Sequence, residues 1–353
     1  MPPRRAKETE IPEPDRLEGY LHPRGNLRFV GNEVVLSRVV QAIRLGRPPQ
    51  AWLITGPPGI GKATLAYRIA RYLLAFGATD KGPLDLSVPD RDSASIQVGA
   101  ASHPGILVLK RSPNPDTGRL MNVISVNEIR RLGSFFGMTS GAGGWRVAIV
   151  DTADDMNDNA ANAILKLLEE PPARAMLLLL ANVPGRLLPT IRSRCQRIDL
   201  KPLETEVVAG ELARALPDAN PREREALARL SGGSIGMALQ LAGNDGITLA
   251  QEADRLIETA KTADIPALLA LGDKVARITD GVGDFGAFLL QALSERIRAR
   301  AQESAPHLDR WLDCLSKLIE SFDQTTTLYL DPRQTILSAS HVVVKTARRA
   351  GPI

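Results

Sequence analysis

The 353-residue sequence predicts an α/β domain built on a mostly parallel, doubly wound sheet, then a small helical domain and an all-α domain. Three observations predict it. Short apolar runs alternate with amphipathic, helix-period stretches through about residue 200. A Gly-rich loop, TGPPGIGKATLA (Thr55 to Ala66), links the first apolar run to a helical stretch. Beyond residue 200 the periodicity is almost wholly helical.

Each element follows from its local pattern. Residues 1–27 are polar and Pro-rich and read as a flexible arm. The next stretch, VGNEVVLSRVVQAIRLG, spaces Val34, Val35, Ile43 and Leu45 among polar residues as an amphipathic helix would. AWLIT (51–55) is a buried strand, and ATLAYRIARYLLAF (63–76) a helix with Leu65, Ile69, Tyr72 and Leu73 on one face. Residues 77–105, rich in Gly, Asp, Ser and Pro, read as an inserted loop or small excursion. Then come a strand at 105–110, a helix at 126–137, a strand at 146–151 ending in Asp151, a helix at 159–170 closed by Pro171-Pro172, and the strand AMLLLLAN (175–182). The expected organisation is an arm at 1–27, a nucleotide-fold domain at 28–200, a small helical domain at 201–246 and a helical bundle at 247–353. In the last two, REREALARLSGGSIGMALQLAG (222–243) is two helices around a Gly-rich turn, and 285–301 and 308–322 are long amphipathic helices. Only QTTTLYL (324–330) carries a strand signal in this half.

Composition narrows the function. Hydrophobic residues at 44% and charged residues at 24% describe a globular chain with material for real cores. The formal charge of +4 allows contact with nucleic acid without demanding it. Aromatics at 4% leave few platforms for stacking on single-stranded bases, so phosphate contacts are favoured over base readout. Two cysteines, Cys195 and Cys314, cannot form a disulfide framework or a four-cysteine zinc site. No apolar run reaches the roughly 20 residues a membrane helix needs, and the charged N-terminus is no secretory signal. The cytoplasm is the expected setting.

The loop carries the chemistry. Gly56, Gly61 and Lys62 satisfy the phosphate-loop pattern, with Gly59 inside it. Such a loop wraps backbone N–H groups around phosphates at a helix N-terminus, and its Lys reaches the terminal phosphates. Yet Ala63 stands where a Ser or Thr hydroxyl would hold Mg²⁺, and Thr64, one residue on, points about 100° away. A tight Gly-rich turn holding no ligand is the plain alternative. Asp151 sits where a Mg²⁺-holding acid would follow its strand, or alternatively caps the next helix. Thr152 follows it where a hydrolytic site needs a water-activating carboxylate, which a hydroxyl cannot replace. Asp154 or Asp155 is left as a substitute base. At most weak ATP or ADP binding and no turnover are expected.

GPPGIGKATLA, then VAIVDTADDMNDNAANAILKLLEEPP, then LLPTIRSRCQRI, resemble in order the motifs of the clamp-loader branch of the AAA+ ATPases, over roughly residues 28–245. The resemblance implies an AAA+ P-loop domain, a helical lid and a collar. It implies that Arg194, within Ser193-Arg194-Cys195, is an arginine finger presented in trans to a neighbour's ATP, where exposed Arg would otherwise read as a surface salt bridge. Asn182 resembles the sensor-1 residue, and Met237 occupies the place of the sensor-2 Arg. With its own site depleted and Arg194 intact, the chain resembles a stator rather than an ATP-hydrolysing motor or a stand-alone DNA remodeller. Implied partners are the other loader subunits (gamma/tau and delta), the sliding clamp and primed DNA. Family members often carry a four-cysteine zinc module after the P-loop helix; residues 77–105 hold no Cys, so no zinc is expected, and His103 reads as structural. Glu169-Glu170 oppose the dipole of their helix, which marks either an interface or a tolerated solvated end.

Overall fold

A computed structural model describes residues 16–17, 19–113, 120–137, 144–278, 280–303, 306–328 and 331–353. These fall into two compact units, Met1–Leu203 and Glu204–Ile353.

In the first unit, α1 (Glu33–Arg44) leads to β1 (Ala51–Thr55) and α2 (Lys62–Phe76), then α3 (Ser93–Gly99) and β2 (Ile106–Leu109). α4 (Val126–Gly137), β3 (Arg146–Val150), α5 (Asp158–Glu169), β4 (Ala175–Ala181), α6 (Pro189–Arg192) and β5 (Gln196–Asp199) complete it. The five strands form one parallel sheet in the order β2-β3-β4-β1-β5. Strand side chains alternate between the faces, so one sheet feeds two cores. Trp52, Ile54, Ile149, Met176, Leu178 and Leu180 pack with α1 and α2, while Leu53, Ala148, Val150, Leu177 and Leu179 pack with α4 and α5. That double burial is why β4 reads as an unbroken apolar run rather than an alternating one.

The structure departs from the sequence reading at five places. In α1 the buried residues are Val39, Val40 and Ile43, while Val34 and Leu45, which the periodicity placed on the apolar face, are 76% and 74% exposed. Residues 77–105 contain a helix, α3, whose Asp92 cap accepts the N–H of Ala94. The excursion is packed in place: Leu86, Val88 and Val98 are buried, Arg44 donates to the Gly82 carbonyl at 2.7 Å, and Arg68 donates to the Asp85 carbonyl at 2.9 Å. Part of the expected arm is likewise pinned on α2, where Arg68 donates to the Leu27 carbonyl, Arg71 to that of Arg24, and the His22 and Tyr67 rings meet edge to face; residues 1–15 and 18 lie outside the described residues. β5, only four residues with one buried side chain, is too short and polar for a periodicity signal.

The second unit is helical: α7 (Thr205–Ala215), α8 (Pro221–Leu230), α9 (Ile235–Gly243), α10 (Gly246–Thr259), α11 (Ile265–Ala276), α12 (Gly281–Gln302), α13 (Leu308–Leu328) and α14 (Pro332–Ala350). α7, α8 and α9 pack together, and α10 packs on α12, α11 on α14, and α13 on both α12 and α14. The strand signal of 324–330 is overridden through Leu328, where those residues continue α13. The β-branched run there follows sixteen residues of helical pattern, and extending a helix already formed outweighs the local strand preference. Residues 329 and 330 lie outside the described residues.

Candidate functional site

The phosphate-type loop lies between the carboxyl end of β1 and the start of α2. Gly56, Gly59 and Gly61 all have positive φ (151°, 71° and 104°), a backbone path that side chains resist. A Cβ on Gly56 would also sit 3.0 Å from the Leu200 carbonyl oxygen and 3.1 Å from Ile60 Cγ2. Lys62 is 8% exposed, and its Nζ donates to the carbonyl oxygens of Gly56 (2.7 Å) and Pro57 (2.8 Å), closing the loop on itself. Burial lowers its pKa to about 8, against the opposing pull of Asp151 and Asp154.

Asp151 follows β3 at the same edge of the sheet, close enough to Lys62 to act on its charge. Thr152 has left-handed backbone geometry (φ 54°), and its hydroxyl turns back to donate to the Asp151 carbonyl at 2.7 Å. Neither candidate substitute base is idle. Asp154 accepts the backbone N–H groups of Asn182 (3.1 Å) and Val183 (2.8 Å). Asp155 is paired with Arg111 at 3.6 Å, and burial raises its pKa. Asn182 thus lies one residue beyond β4, bound through its backbone to the β3 turn. Ala63 and Thr64 are in the first turn of α2 and are half-buried.

Arg194 lies elsewhere. β5 pairs with β1 in parallel, Gln196 beside Trp52 and Asp199 beside Thr55. Arg194, two residues before β5, is therefore at the amino edge of the sheet, whereas the loop of Gly56–Lys62 is at the carboxyl edge. A five-residue strand at about 3.3 Å per residue separates the two by roughly 16 Å, beyond an arginine's reach. Its Nη2 pairs with Glu169 Oε1 at 2.8 Å, and its Nη1 donates to the Thr190 carbonyl at 3.1 Å. The pair joins two positions the sequence flagged separately, because residues 169 and 194 are brought together only by folding. Next to it, burial pushes the Cys195 thiol up to about 12, so it is no nucleophile near neutral pH. Met237 belongs to the second unit, in the first turn of α9, where its N–H is capped by Ser234. His103 Nδ1 accepts the N–H of Gly105 at 2.9 Å, a structural contact. Among the described residues no group of three or more His, Cys, Asp or Glu could hold a metal ion, and no helix is long and apolar enough to cross a membrane.

A parallel sheet in this strand order, with a phosphate-type loop after β1, defines a P-loop domain of the AAA+ class, and helical domains follow it. Residues 31–204 match the family described as DNA polymerase III, delta subunit. DNA polymerase III subunit delta' of Pseudomonas aeruginosa is 40% identical over 194 residues, 55% of this chain and 56% of that protein. The Escherichia coli subunit delta' is 33% identical over 209 residues, 59% of each. DNA polymerase III subunit tau of Salmonella typhimurium is 26% identical over 318 residues, 86% of this chain and 44% of that protein. Over residues 31–204 the chain is thus similar to the DNA polymerase III delta' subunits. The match spans less than two thirds of the length of each of these relatives.

Proposed function

We propose that this chain is the stator subunit of a clamp loader, supporting ATP-dependent placement of a sliding clamp on primed DNA without turning over ATP itself. The observation that carries the reading is the separation of Arg194 from the chain's own phosphate loop, at opposite edges of one sheet. A guanidinium so placed can meet a γ-phosphate only when another subunit brings it, which is how an arginine finger acts in trans. The chain's own site agrees: Ala63 offers no Mg²⁺ ligand, Thr152 offers no base, and Asp154 and Asp155 are engaged. The proposed partners are the gamma/tau and delta subunits, the clamp, and DNA met through backbone phosphates in the cytoplasm. No zinc or other cofactor is required in this reading, and nucleotide binding at Lys62 is weak at most.

The test is DNA-stimulated ATP turnover by the reconstituted loader carrying Arg194→Ala or Lys62→Ala in this chain, each checked for retained Tm. Loss with Arg194→Ala and near-normal turnover with Lys62→Ala is expected. Loss with Lys62→Ala at unchanged Tm would overturn the stator and favour a motor subunit. A homomeric ring formed by the chain alone on a sizing column would instead mark a stand-alone remodeller.

A further inference from the structure

Resting on the finger reading above, we propose that Glu169 is the positioning residue of Arg194, aiming its guanidinium before a neighbouring subunit delivers phosphate. Arg194 follows the four-residue helix α6, and 37% of its side chain is accessible to solvent. One side of it borders a cavity of about 150 Å³ that is lined also by Gln50, Leu167, Leu168, Pro171 and Pro172. What orients the guanidinium is polar: Glu169 on Nη2 and the Thr190 carbonyl on Nη1. An arginine has five N–H donors, so these two contacts leave three for a phosphate.

Glu169 breaks a local rule where it stands. It occupies the last turn of α5, where the exposed carbonyl ends of the helix disfavour an anion. The pair it makes is solvent-exposed, with side chains 37% and 52% accessible, and such pairs add little to stability. A carboxylate held at a costly position for a pair of little stabilising worth fits a role in orientation, as outer partners orient the groups that touch a ligand at other sites. Ordering a long, rotamer-rich side chain in advance removes that cost from the encounter with phosphate.

The experiment uses the reconstituted loader with DNA and measures kcat and KM for ATP. The variants are Glu169→Ala, Glu170→Gln, Arg194→Ala and the double Glu169→Ala/Arg194→Ala, with Tm of each free chain recorded. Glu169→Ala is expected to lower kcat about tenfold, the low end for outer partners of a site, with KM and Tm unchanged. Glu170→Gln, which removes a charge one residue further on but not this pair, should behave as wild type. The double variant should be no slower than Arg194→Ala alone, because Glu169 acts only through Arg194. Wild-type kcat for Glu169→Ala beside a defective Arg194→Ala would overturn the positioning role and leave the finger standing. Normal turnover by Arg194→Ala would instead remove the finger reading itself. A further loss in the double variant, or a lowered Tm for Glu169→Ala, would make Glu169 structural and overturn the proposal.

Discussion

The carboxylate of Asp154 accepts the backbone N–H of Asn182 at 3.1 Å, tying the turn after β3 to the end of β4. The neighbouring Val183 N–H donates to the same oxygen at 2.8 Å. The acid that could have replaced a missing base is a backbone clasp instead. Asp154→Ala would strand two N–H donors, and hydrogen bonds to charged groups are worth about 1.5–3 kcal/mol. Urea denaturation is expected to show a loss of about 2 kcal/mol, with ATP turnover by the loader unchanged.

Lys62 makes stability depend on alkaline pH. Its folded pKa, about 8, lies below the ordinary 10.5, so between those values the unfolded chain binds more protons than the folded one. Stability from this group is therefore lowest below pH 8 and rises as pH climbs toward 10.5. The gain is of order 3 kcal/mol. Denaturation of wild type and Lys62→Met across that window should show wild type gaining on the variant; a constant difference would mean that Lys62 keeps an ordinary pKa.

Thr152 is a β-branched residue in left-handed geometry at φ 54°. Such strain costs about 1–3 kcal/mol, and Asn tolerates the region far better. Thr152→Asn is expected to raise unfolding free energy by about 1 kcal/mol while leaving loader turnover untouched. Impaired turnover at raised stability would assign the hydroxyl a part in the chemistry.

Gly56→Ala tests whether the loop's curl supports the fold without nucleotide. The new methyl would stand 3.0 Å from the Leu200 carbonyl at φ 151°. A loss of about 2 kcal/mol in unfolding free energy is expected from the strained backbone. A variant as stable as wild type would show the loop able to take another path.

Much of the fold was legible because its signals are local. The apolar runs of β1 and β4, the period of α2 and the glycines of the loop each declare themselves within a few residues. Signals failed where distant packing decides. Val34 and Leu45 share the apolar spacing of α1, yet the core buries Val39, Val40 and Ile43, takes Val35, Leu36 and Ala42 partly buried against it, and leaves Val34 and Leu45 exposed. The helix α3 forms in a stretch of little periodicity, and the 77–105 excursion is held by Arg44 and Arg68, outside that stretch.

The sequence alone determined the loop and its deficits, since Gly56, Gly59, Gly61, Lys62, Ala63, Asp151 and Thr152 are matters of residue type and short spacing. Only the tertiary structure decided what these residues touch. It closed Lys62 on the carbonyls of its own loop, bound Asp154 to Asn182, and set Arg194 beside Glu169 at the far edge of the sheet. Those relations join residues up to 28 positions apart, and the parallel crossovers of the sheet bring together chain segments that no local pattern relates.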